Sequence, residues 1–145
     1  MIHKDYFRKT RILDGGMGQD LLARGMKSNS TFWSANAILD ENYHQLVLDT
    51  HIDFIKAGAE IIVTTTFATR QKRLKENNLL DKFEYLNQKA GEIAQAAKQK
   101  FPSTYIAGGI PPQNLTYEAD DRDEAEILEN VNSQAKVLNL SLIHI

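Results

Sequence analysis

The sequence predicts an α/β fold built on a parallel sheet. Three apolar segments read as strands, three amphipathic patterns read as helices, and the two kinds alternate along the chain. Each strand segment is a nearly continuous apolar run, not an apolar–polar alternation, which is the pattern of a strand covered on both faces. Strands alternating with helices imply right-handed parallel units, here in the order β-α-β-α-β-α.

The first strand is "RILD", Arg11–Asp14. The second, "AEIIVTTTF" over Ala59–Phe67, is rich in β-branched residues, which fit a pleated surface. The third is "TYIAGGI", Thr104–Ile110. A first helix is predicted over Glu41–Ala57, where Tyr43, Leu46, Val47, Thr50, Phe54 and Ala57 recur at steps of three and four. Asp40 suits its N-cap and Gly58 the position just past its end. A second helix over Leu80–Lys100 carries the stripe Phe83, Leu86, Ala90, Ile93, Ala94 and Ala97, and Pro102 stops it. From Asp123 onward Leu128, Val131, Ala135 and Leu138 repeat the pattern, with Asp123 and Glu126 forming a start like a capping box. Between the first strand and first helix lies the insertion "GMKSNSTFWSANAILD", whose lone Trp33 reads as packing for that segment. The acidic run "EADDRDEAE" reads as a solvated loop and helix start.

Composition narrows the partners. With 17 Lys+Arg against 19 Asp+Glu there is no basic field of the kind nucleic acid binding needs. No apolar run approaches a membrane span, and no apolar stretch follows the basic residues of the N-terminus, so a secretory signal is not expected and a cytoplasmic location is. The chain has no cysteine, hence no disulfides and no thiolate metal ligands.

The three strands end alike, in "DGGMG", "TTTF" and "GGIPPQ". In parallel α/β folds the C-terminal strand edge is where ligands bind. Asp14 can accept hydrogen bonds from a ligand ammonium, glycines admit a ligand close to the backbone, and Thr64, Thr65 and Thr66 offer hydroxyls to alternating sides. The same residues also read as an ordinary turn and an ordinary strand. "GGMG" is not the dinucleotide-binding fingerprint. His44 and His51 lie on one predicted helix at a spacing unlike that of helical metal-binding pairs. His51, between Val47 and Ile55 at helical spacing, reads as a satisfied core histidine.

Taken in order, "ILDGGMGQDLLARG", "FWSANAIL", "HIDFIKAGAEIIVTTTF" and "IAGGIPP" resemble the homocysteine S-methyltransferase family, from about Arg11 to about Asp120. The resemblance implies a (β/α)8 TIM barrel, which typically takes roughly 250 residues, so this chain would hold its first three βα units and be truncated. It implies transfer of a methyl group from a small donor (S-methylmethionine, betaine or methylfolate type) to the thiol of homocysteine, forming methionine. It also implies zinc. A free thiol has a pKa of about 8.5, and the family lowers it by binding the sulfur to a zinc held by three late cysteines. Those ligands are absent from this chain, and so is an acidic residue that the family supplies from a later strand. Carried over residue by residue, Asp14 is expected near the homocysteine amino group, Gly15 where backbone meets substrate, Thr64 facing the pocket, Phe67 where the family has Tyr or Phe, and Gly109 with Pro111 in the third turn shaping the pocket wall. Gln19 stands where many members have Thr, and "GGIPP" replaces a commoner form of the third turn.

The last six residues, "LSLIHI", match the in-frame translation of the transposon end CTGTCTCTTATACACATC used in DNA library preparation. Residues 1–139 are therefore expected to be the front of a homocysteine-binding barrel domain and residues 140–145 an adapter-derived tail. The fragment alone is expected to be inactive and to aggregate or be partly unfolded. Two other readings stay open: a short non-catalytic binding or interaction module derived from such a barrel, and another α/β barrel enzyme with a glycine-rich first turn.

Overall fold

The computed structural model describes residues 4–112 and 122–143. Its centre is a parallel sheet. Strand β1 (Ile61–Val63) pairs with β2 (Tyr105–Ala107) in the register Ile61–Tyr105, Ile62–Ile106 and Val63–Ala107. The first predicted strand joins β1 on its other edge, reduced to one parallel bridge between Leu13 and Ile61. Backbone bonds from Glu60 N to Ile12 O (2.8 Å) and from Asp14 N to Ile61 O (3.0 Å) extend that contact. All three segments thus run the same way, with β1 in the middle.

The strands are shorter than their apolar runs. After Val63 the chain turns at once, with Thr66 N–H donating to Thr64 O at 2.8 Å. Burial on both faces holds for Ile61 and Ile62, which have a neighbour on each side, and fails at the edges: Ile12 and Leu13 are 57% and 55% exposed.

Among the described residues six α-helices accompany the sheet: α1 (Met17–Ala23), α2 (Asn36–Leu39), α3 (His44–Lys56), α4 (Gln71–Glu76), α5 (Phe83–Lys100) and α6 (Glu124–Ile143). The predicted α5 stripe is buried at every position, and α5 packs on α3 and α6. The first predicted helix opens instead as a 3-10 turn, Glu41–Tyr43, with the Asp40 side chain accepting from Asn42 N–H, before α3 begins. Helices α1, α3 and α4 end in the same way. The residue just past each end, Gly25, Gly58 or Asn78, has positive φ, and paired bonds such as Ala59 N to Phe54 O and Gly58 N to Ile55 O close the last carbonyls. The short helices α1, α2 and α4 fall where no amphipathic stripe is long enough to announce them.

The α6 stripe is corrected. Its buried residues are Gln134, Val137 and Leu138, while Leu128 is 51% exposed. In its first turns Glu126, itself exposed, lies 3.5 Å from Arg122 as an i,i+4 pair. Residues 118–121 of the acidic run and residues 144–145 of the terminal hexapeptide lie outside the described residues, and α6 takes in the stretch up to Ile143.

The two ends of the sheet differ. At the end where β1 and β2 begin, Arg11 pairs with Glu60 at 2.7 Å and lies 3.9 Å over the ring of Tyr6, which packs edge-on against Tyr105. That end is closed by its own side chains. The other end opens into a cavity. Among the described residues no helix is long and apolar enough to cross a membrane.

Candidate functional site

The cavity measures about 650 Å³ and is lined by the turn after Leu13, by the residues following β1, and by the Ser30–Ser34 segment. Of the residues expected from sequence, it brings together Asp14, Gly15, Thr64 and Phe67. Gly109 and Pro111 are not in its lining. Gly109 is instead a close-packing position: a Cβ there would sit 2.9 Å from Thr64 O and 3.1 Å from Thr66 Oγ1. Gly15 lies in the lining, with the Phe54 ring directly against it, 2.7 Å from where a Cβ would stand.

Asp14 owes its place to the single parallel bridge. Its backbone N–H is tied to Ile61, and its Oδ2 accepts from Val63 N–H at 2.8 Å, so the carboxylate is fastened to the neighbouring strand. The side chain is buried. Burial raises its pKa to about 6, and the Val63 hydrogen bond only partly opposes that. At neutral pH it is ionised yet poorly solvated, with lone pairs left for a cationic group in the cavity.

His51, on α3, is fully buried, with Nδ1 3.9 Å from Asp14 Oδ2. That is too long for a hydrogen bond. Neither ring nitrogen has a partner among the described residues, so this is not the satisfied core histidine its spacing suggests. Burial lowers its pKa to about 4, so the ring is neutral at pH 7 and does not form an ion pair with Asp14.

Thr64 is mostly committed elsewhere. Its Oγ1 accepts from Gly109 N–H at 2.9 Å and lies 3.0 Å from Thr66 Oγ1. Thr66 in turn donates to Gly109 O at 2.6 Å. With the Thr66 proton used, Thr64 must donate to Thr66, so Thr64 can accept from a ligand but has no proton to offer.

Three further lining residues bear on a ligand, and the sequence-based reading gave none of them a ligand role, with Trp33 read as packing. Trp33 stands at 42% exposure on a positive φ of 47° and packs on Gly18, where a Cβ would fall 2.2 Å from its indole nitrogen. A lone Trp in a segment without periodicity was the available signal. Arg70 and Arg73, just beyond the Thr run, bring two guanidiniums to the wall. Arg73 donates to Thr31 O.

No group of three or more His, Cys, Asp or Glu able to hold a metal occurs among the described residues, and the chain has no cysteine. The Asp14 and His51 pair offers two groups only. The residues present do not fit a zinc site.

The family model for homocysteine S-methyltransferase matches residues 11–142. The chain belongs to that family. Homocysteine S-methyltransferase 2 of Saccharomyces cerevisiae is 30% identical over 114 residues, covering 72% of this chain and 35% of the yeast protein. Homocysteine S-methyltransferase 2 of Zea mays is 33% identical over 104 residues, covering 71% of this chain and 30% of the maize protein. The fold matches the Escherichia coli homocysteine methyltransferase MmuM in its metallated form with a TM-score of 0.80 at 21% identity, over 95% of this chain and 53% of that one. The chain thus spans about a third of the length of these curated relatives and about half of the solved enzyme.

Proposed function

We propose that this chain is the front part of a homocysteine S-methyltransferase and supplies the pocket for the amino-acid end of the substrate. The observation that carries this reading is Asp14: a buried carboxylate, anchored by Val63 N–H, in the wall of a cavity at the strand ends of a family-matched fold. An ammonium placed there gains a charge-assisted bond in a poorly solvated setting, where it is stronger than in water. Gly15 lets substrate lie near the backbone, Thr64 accepts from it, and Phe67 and Trp33 cover its apolar part.

The reaction would join the homocysteine sulfur to the donor methyl carbon, with loss of the thiol proton and of the donor's bond to that carbon. Since the residues present do not fit zinc, activation of the sulfur is assigned to a remainder of the protein, in keeping with three βα units of a TIM barrel out of eight. The exposed apolar edge at Ile12 and Leu13 supports a missing neighbouring strand. A cytoplasmic setting, a role in methionine synthesis and a tail at residues 140–145 belong to the same proposal.

The test is to clone the locus downstream of the Asn139 codon from DNA prepared without transposon ends, then assay the full-length protein for methionine formation from homocysteine and S-methylmethionine or betaine. The expected result is a continuous frame with late cysteines and a zinc-dependent activity. The 145-residue chain alone should be inactive and prone to aggregate, because a partial barrel leaves an open edge and a half-covered core. A genuine stop after Ile145, or methyl transfer by the short chain, would overturn the proposal.

A further inference from the structure

Arg70 lines the cavity at 4% exposure, between the turn that ends β1 and the start of α4. Among the described residues its guanidinium makes one hydrogen bond, a long 3.5 Å contact from Nη1 to Phe67 O. Its Nε is buried without a partner. The guanidinium carbon lies 6.0 Å from the centre of the Phe67 ring, at the outer limit of a cation–π contact. The charges that act on it are mostly of its own sign: Arg73 and Arg122 repel it, and Glu76, which attracts it, is itself 3.0 Å from Lys72. Burial, and then Arg73, hold its pKa below the usual arginine value.

A buried cation without an anionic partner is costly, and such groups are as a rule paired. Structural reasons account for two other polar residues of the lining: Arg73 is anchored on Thr31 O, and Thr64 on Gly109 and Thr66. Among the described residues nothing accounts in this way for Arg70, and the lining holds one carboxylate, Asp14, against the two guanidiniums. A ligand that answers both signs is a zwitterion. Guanidinium also matches carboxylate geometry, since its forked N–H groups can meet both oxygens.

We propose that Arg70 forms a carboxylate-binding subsite in this cavity and takes the carboxylate of an amino-acid ligand whose ammonium lies at Asp14. This rests on the reading of the cavity as the amino-acid pocket of a methyltransferase. Two ligands of that reaction carry the required group: the acceptor, homocysteine, and an amino-acid donor such as S-methylmethionine.

The experiment is calorimetry on the full-length protein, wild type, Arg70→Met and Arg70→Lys, with four probes. These are homocysteine, 3-aminopropane-1-thiol (homocysteine without its carboxylate), S-methylmethionine, and its decarboxylated sulfonium. Arg70→Met should weaken a carboxylate-bearing ligand by about 30-fold, equal to ~2 kcal/mol, and leave its decarboxylated counterpart within about two-fold. Loss on homocysteine assigns the acceptor carboxylate, and loss on S-methylmethionine assigns the donor's. Arg70→Lys should recover part of the affinity. The ligand-free Arg70→Met protein should melt no lower than wild type, because an unpartnered buried cation has been removed; a purely structural arginine would give the opposite. Equal weakening with and without the carboxylate, or no weakening, overturns the subsite. If Arg70→Met does not fold, wild type decides: binding each ligand no tighter than its decarboxylated counterpart overturns it equally. Methyl transfer with normal affinity in Arg70→Met sinks the subsite and spares the methyltransferase reading. Arg70-dependent carboxylate binding without methyl transfer does the reverse, and wild type binding none of the four sinks both.

Discussion

At the end of β1 two sets of polar side chains are withdrawn from water. Thr66, Thr69, Asn87 and Gln134 form one, and Asp14, His51 and Arg70 the other. In the first set, Thr69 Oγ1 donates to Asn87 Oδ1 at 2.9 Å, Asn87 Nδ2 donates to Phe83 O at 2.8 Å, and Gln134 Nε2 donates to Thr66 O and Asn87 Oδ1, both at 3.1 Å. These bonds tie α5 and α6 to the turn after β1, and in this set only Gln134 Oε1 lacks a partner among the described residues. In the second set the groups do not satisfy one another: His51 has no partner among the described residues, Arg70 has one long bond, and Asp14 has spare lone pairs. Burial by itself therefore does not mark a site. A closed network spends its polar groups on holding the fold, whereas an open one keeps them for something else.

The largest effect that would break this contrast is at Asp14. In the full-length protein, Asp14→Asn should weaken homocysteine binding by about 100-fold or more, as expected when one partner of a buried charge pair is lost. It should also leave stability at pH 7 unchanged or higher, because a carboxylate whose pKa burial raises to about 6 opposes folding there. Titration calorimetry and a urea melt check both. A lower melt with unchanged affinity would move Asp14 into the structural set.

Asn87 should behave in the opposite way. Asn87→Ala removes partners of Thr69 and Gln134 in a buried network, and should cost about 2–4 kcal/mol of stability with affinity nearly unchanged. A loss of affinity without a loss of stability would erase the distinction between the two sets.

The pH dependence sharpens it further. Asp14, raised to about 6, binds a proton in the folded state that the unfolded chain does not hold until near pH 4, so it adds stability as pH falls through that window. His51, lowered to about 4, stays neutral where the unfolded chain is already protonated, so it removes stability as pH falls below its ordinary value of 6.5. The two slopes oppose each other between about pH 6 and 4 and nearly cancel. Asp14→Asn should unmask the histidine, and stability should then fall by about 1.4 kcal/mol per pH unit across that range. Affinity for an ammonium ligand in the wild type should also drop below about pH 6 as the carboxylate protonates. Flat profiles in both proteins would contradict the burial of the pair.

What the sequence could show follows the same division. The α5 stripe is legible because its core positions are apolar and regularly spaced. The place of Asp14 at a strand end is legible too, although a carboxylate followed by glycines also reads as an ordinary turn. The closed network is not legible: Thr69, Asn87 and Gln134 lie far apart in the chain and share no period. His51 is in the core, as its spacing says, but the spacing does not show that its ring lacks a partner; Arg70 lies in a turn with no period to mark it as buried. The second strand is shorter than its run because propensity continues through Thr64–Thr66, where the Thr64 and Thr66 hydroxyls instead serve the turn. Leu128 follows the helical period, but periodicity does not say which turns of a helix are covered.

The smallest effect concerns the wall that both readings share, Trp33 on Gly18. Gly18 lies inside α1 without positive φ, so replacing it with alanine should favour the helix by about 1 kcal/mol if space allowed. Space is denied by the indole, whose nitrogen lies 2.2 Å from where the Cβ would go. Gly18→Ala should therefore destabilise the wild type by about 1–3 kcal/mol. In a Trp33→Ala background the same change should stabilise by about 1 kcal/mol. A double-mutant cycle by urea melts reads that reversal of sign directly. Additivity would mean that the glycine serves the backbone or the ligand and not the tryptophan, and Trp33 would then belong to the open set, free to move when the cavity fills.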